Sequence, residues 1–143
     1  MDEELKQKIR ERTKRFEGLS LMPYKCPVGE DTIGYGHLIK NGITQAGAEV
    51  LLEEDLKAAY RAARGNFAWF SKLNGPRQAV IIDMIFNIGI TRLYGFKKMR
   101  AAIEAGDFET AAKEMLDSKY ARQVAYRARL NAEILKTGAW ENA

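Results

Sequence analysis

The sequence predicts an α+β fold, mostly helical with one small antiparallel sheet. Three observations carry that prediction. Apolar residues recur at helical spacing over most of the 143 residues, the stretch from Gly18 to His37 is crowded with turn-forming glycine and proline, and helix start and stop residues bracket the apolar runs beyond it. With 46% apolar residues the chain can build a core of ordinary size.

Leu5, Ile9 and Phe16 recur at helical spacing, and Gly18 then stops the first helix. Leu19, Leu21 and Tyr24 around Pro23, followed by Thr32-Ile33-Gly34-Tyr35-Gly36, read as two short strands joined by a turn over Pro27–Asp31. Thr44 is placed to cap a helix from Gln45 to about Arg64, where Val50, Leu51, Leu56 and Tyr60 oppose Glu49, Glu53, Glu54 and Asp55. Asn74 caps the next helix with Pro76 in its first turn, and the apolar run Ala79–Ile88 predicts burial on most sides. Asp83 and Asn87 interrupt that run on one face, so they should meet a cleft or a satisfied polar network. Thr91–Tyr94 reads as a connection, with helices at Phe96–Glu104, Phe108–Leu116 behind Asp107, and Val124–Lys136 before a stop at Gly138. The pattern divides one domain, 1–143, into a small lobe over about 17–43, a linking helix over about 45–64, and a helical lobe over about 65–143 that includes the N-terminal helix.

The composition narrows the chemistry. One cysteine excludes an internal disulfide, and one cysteine with one histidine excludes the usual zinc sets. No carboxylate cluster has metal-loop spacing, so no metal and no cofactor are expected. A net charge of +4 and a pI near 9.2 favour anionic surfaces such as cell walls. Without aromatic-interleaved basic stripes, no nucleic-acid partner is expected. No run approaches membrane-spanning length, so no membrane insertion is expected, and the polar Met1–Lys6 segment has no apolar signal region.

Candidate chemistry concentrates between Glu17 and His37. Glu17 closes the first helix, where partial burial would raise a carboxyl toward the range of a general acid. Cys26 stands on a turn-rich segment. Its thiolate is a base or nucleophile if nearby positive charge such as Lys25 lowers its pKa; otherwise Glu17 with an ordered water carries the reaction, or Glu30 or Asp31 serves as second carboxylate. Gly34 and Gly36 permit close backbone approach.

Glu17-Gly18-Leu19, a reactive position at Cys26, then Thr32-Ile33-Gly34-Tyr35-Gly36-His37 together resemble the active-site signature of phage-type lysozymes (endolysins) of glycoside hydrolase family 24. The likeness continues through Asp83-Met84-Ile85-Phe86-Asn87-Ile88-Gly89, Gly95-Phe96, Arg127-Ala128 and Thr137-Gly138-Ala139-Trp140. It implies a lysozyme-like fold with its active-site cleft between the lobes, and hydrolysis of β-1,4 bonds between N-acetylmuramic acid and N-acetylglucosamine in peptidoglycan. It further implies Glu17 as the acid that protonates the glycosidic oxygen, Thr32 as the hydroxyl that positions the attacking water, and Leu38, Phe86 and Asn87 as sugar-binding residues. His37 would fix the end of the hairpin, and Arg127 would pair with Glu17. Cys26 departs from the pattern, which usually has Asp as the group that activates water. Met99 and Glu114 also stand where related chains carry small polar cleft residues.

These readings predict a monomeric enzyme whose partner is the peptidoglycan glycan strand, made in a host cytoplasm without a signal peptide and released through a phage holin. Two other readings stay open because of Cys26. A lytic transglycosylase needs one acid only, and a wall-binding protein needs the cleft without its base.

Overall fold

Asp2 opens the first helix, α1 (Glu3–Glu17), by accepting a hydrogen bond from the Leu5 N–H at 2.8 Å, and Gly18 ends it at a φ of 68°. The structure, a computed structural model, describes residues 1–141. Its chain divides into two units, Met1–Val50 and Leu51–Ala143, and α1 belongs to the first.

The first unit carries a three-stranded antiparallel sheet in the order β1 (Ser20–Lys25), β2 (Asp31–Gly34), β3 (His37–Leu38). Strand β1 pairs Tyr24 with Thr32 and Lys25 with Asp31, and an irregularity separates these pairs from Ser20 opposite Gly34. Pro23 falls inside that gap, where its missing N–H cannot serve the ladder. The sequence pattern anticipated two strands; His37 and Leu38 form a third, paired with Ile33 and Thr32. Tyr35 and Gly36 therefore belong to a turn, made possible by positive φ at Gly34 and Gly36.

Helix α2 (Gln45–Asn66) starts in the first unit and ends in the second. Thr44 caps it, its hydroxyl accepting from the Gly47 N–H at 3.1 Å. Then come α3 (Gly75–Ile88), α4 (Ile90–Tyr94), α5 (Lys97–Glu104), α6 (Phe108–Leu116), α7 (Lys119–Gln123) and α8 (Ala125–Thr137). Asn74 and Asp107 cap α3 and α6 through hydrogen bonds from Arg77 N–H and Thr110 N–H, both at 3.1 Å. Gly138 ends α8 in the left-handed conformation at φ 71°. Two short helices differ from expectation: α4 replaces a plain connection, and α7, capped by the Ser118 hydroxyl, precedes α8.

The apolar core lies in the second unit and includes Phe70, Val80, Ile81, Met84, Leu93, Met99, Met115 and Leu135. Arg77 ties the start of α3 to the end of α8. Its guanidinium donates to the Leu135 carbonyl at 2.8 Å and the Lys136 carbonyl at 3.0 Å, and lies 3.6 Å from the Phe108 ring centroid. Helix α3 is less enclosed than its apolar run suggested. Val80, Ile81, Met84 and Ile85 are buried, whereas Phe86 is 42% exposed and Asn87 is exposed, because one face of α3 suffices to fill the core.

Candidate active site

The last turn of α1 lies along the β2–β3 turn. The Lys14 ammonium stands 5.4 Å from the Tyr35 ring centroid. One turn on along the helix, the Glu17 carboxyl rests against Gly36, so close that a β-carbon there would stand 2.7 Å from Oε2. Among the described residues of this unit, no hydrogen bond or ion pair holds that carboxylate. Glu17 is exposed rather than half-buried. The reason is its seat, since glycine offers no side chain to cover it.

Cys26 begins the turn between β1 and β2. The Cys26 N–H donates to the Glu30 carbonyl at 2.9 Å, the Gly29 N–H to the Cys26 carbonyl at 2.8 Å, and Gly29 takes a φ of 83°. The sulfur is partly buried beside this curl. The Glu30 N–H holds the thiol below its ordinary value; partial burial opposes it, and the Val28 N–H and Thr32 hydroxyl assist. The Glu30 carboxylate also opposes the shift, but Lys40 engages it at 2.9 Å, while Lys25 engages Asp31 at 2.7 Å. Both acids considered as a second carboxylate face lysines in exposed ion pairs.

Thr32 sits on the central strand and is 2% exposed. Its hydroxyl donates to the Glu30 carbonyl at 3.0 Å, which leaves its lone pairs to accept, and rotation can bring the same proton to a Cys26 thiolate. His37 Nε2 lies 2.7 Å from the Gly42 carbonyl. A carbonyl only accepts, so Nε2 carries the hydrogen and ties β3 to the loop ahead of α2. Leu38 pairs with Thr32 across the sheet.

In the second unit the remaining candidates form a different kind of group. Arg127 donates to both oxygens of Asp83, at 2.9 and 2.6 Å, and the Asn131 amide donates to Asp83 at 2.8 Å and to the Tyr120 hydroxyl at 3.1 Å. Burial would raise the Asp83 carboxyl, but these hydrogen bonds outweigh it and hold the group below the usual carboxylate range. Asp83 thereby meets the satisfied network its position demanded. Phe86 lines an open hollow of about 390 Å³ with Asp55, Ala58, Ala59 and Ala62. Met99 and Glu114 line another, of about 520 Å³, with Lys97, Lys98 and Lys119.

The family model described as phage lysozyme matches residues 14–132. The chain belongs to the phage lysozyme family. This makes it a lysozyme-type glycoside hydrolase that acts on peptidoglycan. Similar chains include probable T4-type lysozyme 1 of Dictyostelium discoideum, 29% identical over 91% of this chain and 94% of that protein. Probable T4-type lysozyme 2 of the same organism is 24% identical over the same shares. The pre-baseplate central spike protein Gp5 of Enterobacteria phage T4 is 30% identical over 92% of this chain, which spans 28% of that longer protein.

Within this lysozyme family member, the described residues contain no group of three or more His, Cys, Asp and Glu arranged to hold a metal ion, and no helix long and apolar enough to cross a membrane. Sequence reasoning missed Asn131 and Tyr120, whose only signal is a polar residue one helical turn after Arg127. It also left open what approaches Gly36, and the answer is Glu17.

Proposed function

We propose that this lysozyme cleaves the β-1,4 bond between N-acetylmuramic acid and N-acetylglucosamine with inversion, using Glu17, Cys26 and Thr32. The observation that carries the reading is a single hairpin that holds Cys26 at its first turn and seats the Glu17 carboxyl at its next. Glu17 gives its proton to the glycosidic oxygen as the bond from C1 to that oxygen breaks. Water held by Thr32 attacks C1 from the opposite face and passes a proton to the Cys26 thiolate. Leu38, Phe86 and Asn87 hold the sugars in this reading.

One observation favours a second reading. Cys26 is not a carboxylate, and a lytic transglycosylase needs only Glu17, which would protonate the leaving oxygen and then accept the proton of the muramoyl O6 as it closes on C1. Mass spectrometry of peptidoglycan digests made in ¹⁸O-water separates the two. Hydrolysis places one labelled oxygen at each new reducing end; unlabelled anhydro products would replace the first reading with the second. Glu17→Gln should lower the release of soluble fragments by about 10²- to 10⁴-fold while keeping the melting transition, and full activity in that variant would sink both.

A further inference from the structure

Gly34 and Gly36 flank the same turn, share the same left-handed backbone, and differ in one respect. A β-carbon on Gly34 (φ 69°) would meet nothing within 4 Å, whereas one on Gly36 (φ 80°) would stand 2.7 Å from Glu17 Oε2, 3.1 Å from Cδ and 3.6 Å from Cγ. The three distances place the end of the Glu17 side chain in the space that a β-carbon of Gly36 would fill. The described residues of this unit offer that carboxylate no hydrogen-bond partner, so its direction is set by what it can lean on. Lys14, three residues earlier on the same face of α1, leans on the neighbouring Tyr35 in the same way.

We propose that Gly36 is a positioning residue for the catalytic acid: its missing side chain is the seat that fixes where the Glu17 carboxyl presents its proton. The inference rests on the reading of Glu17 as general acid. A methyl group at position 36 would force the carboxyl from 2.7 Å to an ordinary contact of at least 3.4 Å. Because the displaced atoms are the far end of a flexible side chain, the fold can yield there at little cost. The proton donor cannot yield in the same way, since general acid catalysis depends on its placement to within a fraction of an ångström. Stability and turnover should therefore separate at this position.

The experiment compares Gly36→Ala, Gly34→Ala and Glu17→Gln for melting temperature and for initial rates on purified peptidoglycan over a range of substrate concentrations. The two alanine variants carry the same left-handed backbone strain and should melt at similar, lowered temperatures. Gly36→Ala should lose turnover by about tenfold or more with half-saturation unchanged, while Gly34→Ala stays within about twofold of wild type after correction for folded protein. Gly36→Asn places the same β-carbon in a residue that tolerates positive φ, and serves if the alanine variant does not fold. Adding Glu17→Asp to Gly36→Ala withdraws the carboxyl by one methylene, and its loss should be smaller than the product of the two single losses. Equal turnover losses at positions 34 and 36, or wild-type turnover in Gly36→Ala, would overturn the seat while leaving the role of Glu17 standing. An active Glu17→Gln would instead overturn the role of Glu17 itself.

Discussion

Two carboxylates in this protein live in opposite surroundings. Glu17 is exposed, leans on a glycine and has no polar partner in its unit, whereas Asp83 is half-buried and takes three hydrogen bonds from Arg127 and Asn131. The contrast extends to the units that hold them. Among the described residues of Met1–Val50 the only buried one is Thr32, while every buried apolar residue belongs to Leu51–Ala143. The first unit is shaped by turns, positive-φ glycines and backbone hydrogen bonds. Packing shapes the second. On the proposed reading, the acid that gives up a proton has no polar partner within its own unit, while Asp83 is held by a satisfied network.

Cys26 offers the largest way to sharpen that contrast beyond Glu17 itself. Cys26→Ser should lower turnover about 10²-fold, because it replaces an ionisable base by a hydroxyl, whereas Cys26→Asp should stay active. The pH profile carries the second signature. A thiol ordinarily ionises above a carboxyl, so the acid limb of the wild-type profile should move to lower pH in Cys26→Asp. Undiminished activity in Cys26→Ser would leave the reaction to Glu17 with an ordered water or to the transglycosylase path.

Asp83→Ala tests the locked side of the comparison. It strands the Arg127 cation and the Asn131 amide, and after discounting for a pair about one-third exposed it should cost about 2 kcal/mol, read as a lowered melting temperature. The folded state holds the Asp83 carboxyl below its unfolded value, so it binds fewer protons than the unfolded chain as pH falls through that range. The stabilisation is fully present above about pH 4 and is lost as pH falls through the lower folded value. Asp83→Asn should accordingly be less stable than wild type at pH 7, with the gap closing below about pH 4. A gap constant with pH would show that the charge of Asp83 contributes nothing.

Thr44→Ala is the smallest test and addresses the cap where the first unit runs into α2. Loss of the hydroxyl that accepts from the Gly47 N–H should cost about 1 kcal/mol, measured by denaturant unfolding, with turnover per folded molecule unchanged. Unchanged stability would show that water replaces this cap.

Much of this architecture was legible because its signals are local. Asn74, Thr44 and Asp107 cap helices through hydrogen bonds that span three residues, Pro76 stands in a first turn, and Gly138 ends a helix by its own φ. Such features are written in adjacent residues, and the sequence by itself determined them, together with the turn that carries Cys26. The third strand escaped because two residues are too few to show alternation, and α7 because five residues are too few to show a helical period.

What only the tertiary structure decided is which groups meet across the chain. Arg127 reaches Asp83 over 44 positions and Asn131 reaches it over 48, and Glu17 finds its seat on Gly36 after the chain has turned through the hairpin. No local period encodes such meetings. They depend on where whole elements pack, so the sequence names the candidate acid, thiol and hydroxyl, and folding settles that Asp83 is held by Arg127 and Asn131 and that Glu17 rests on Gly36.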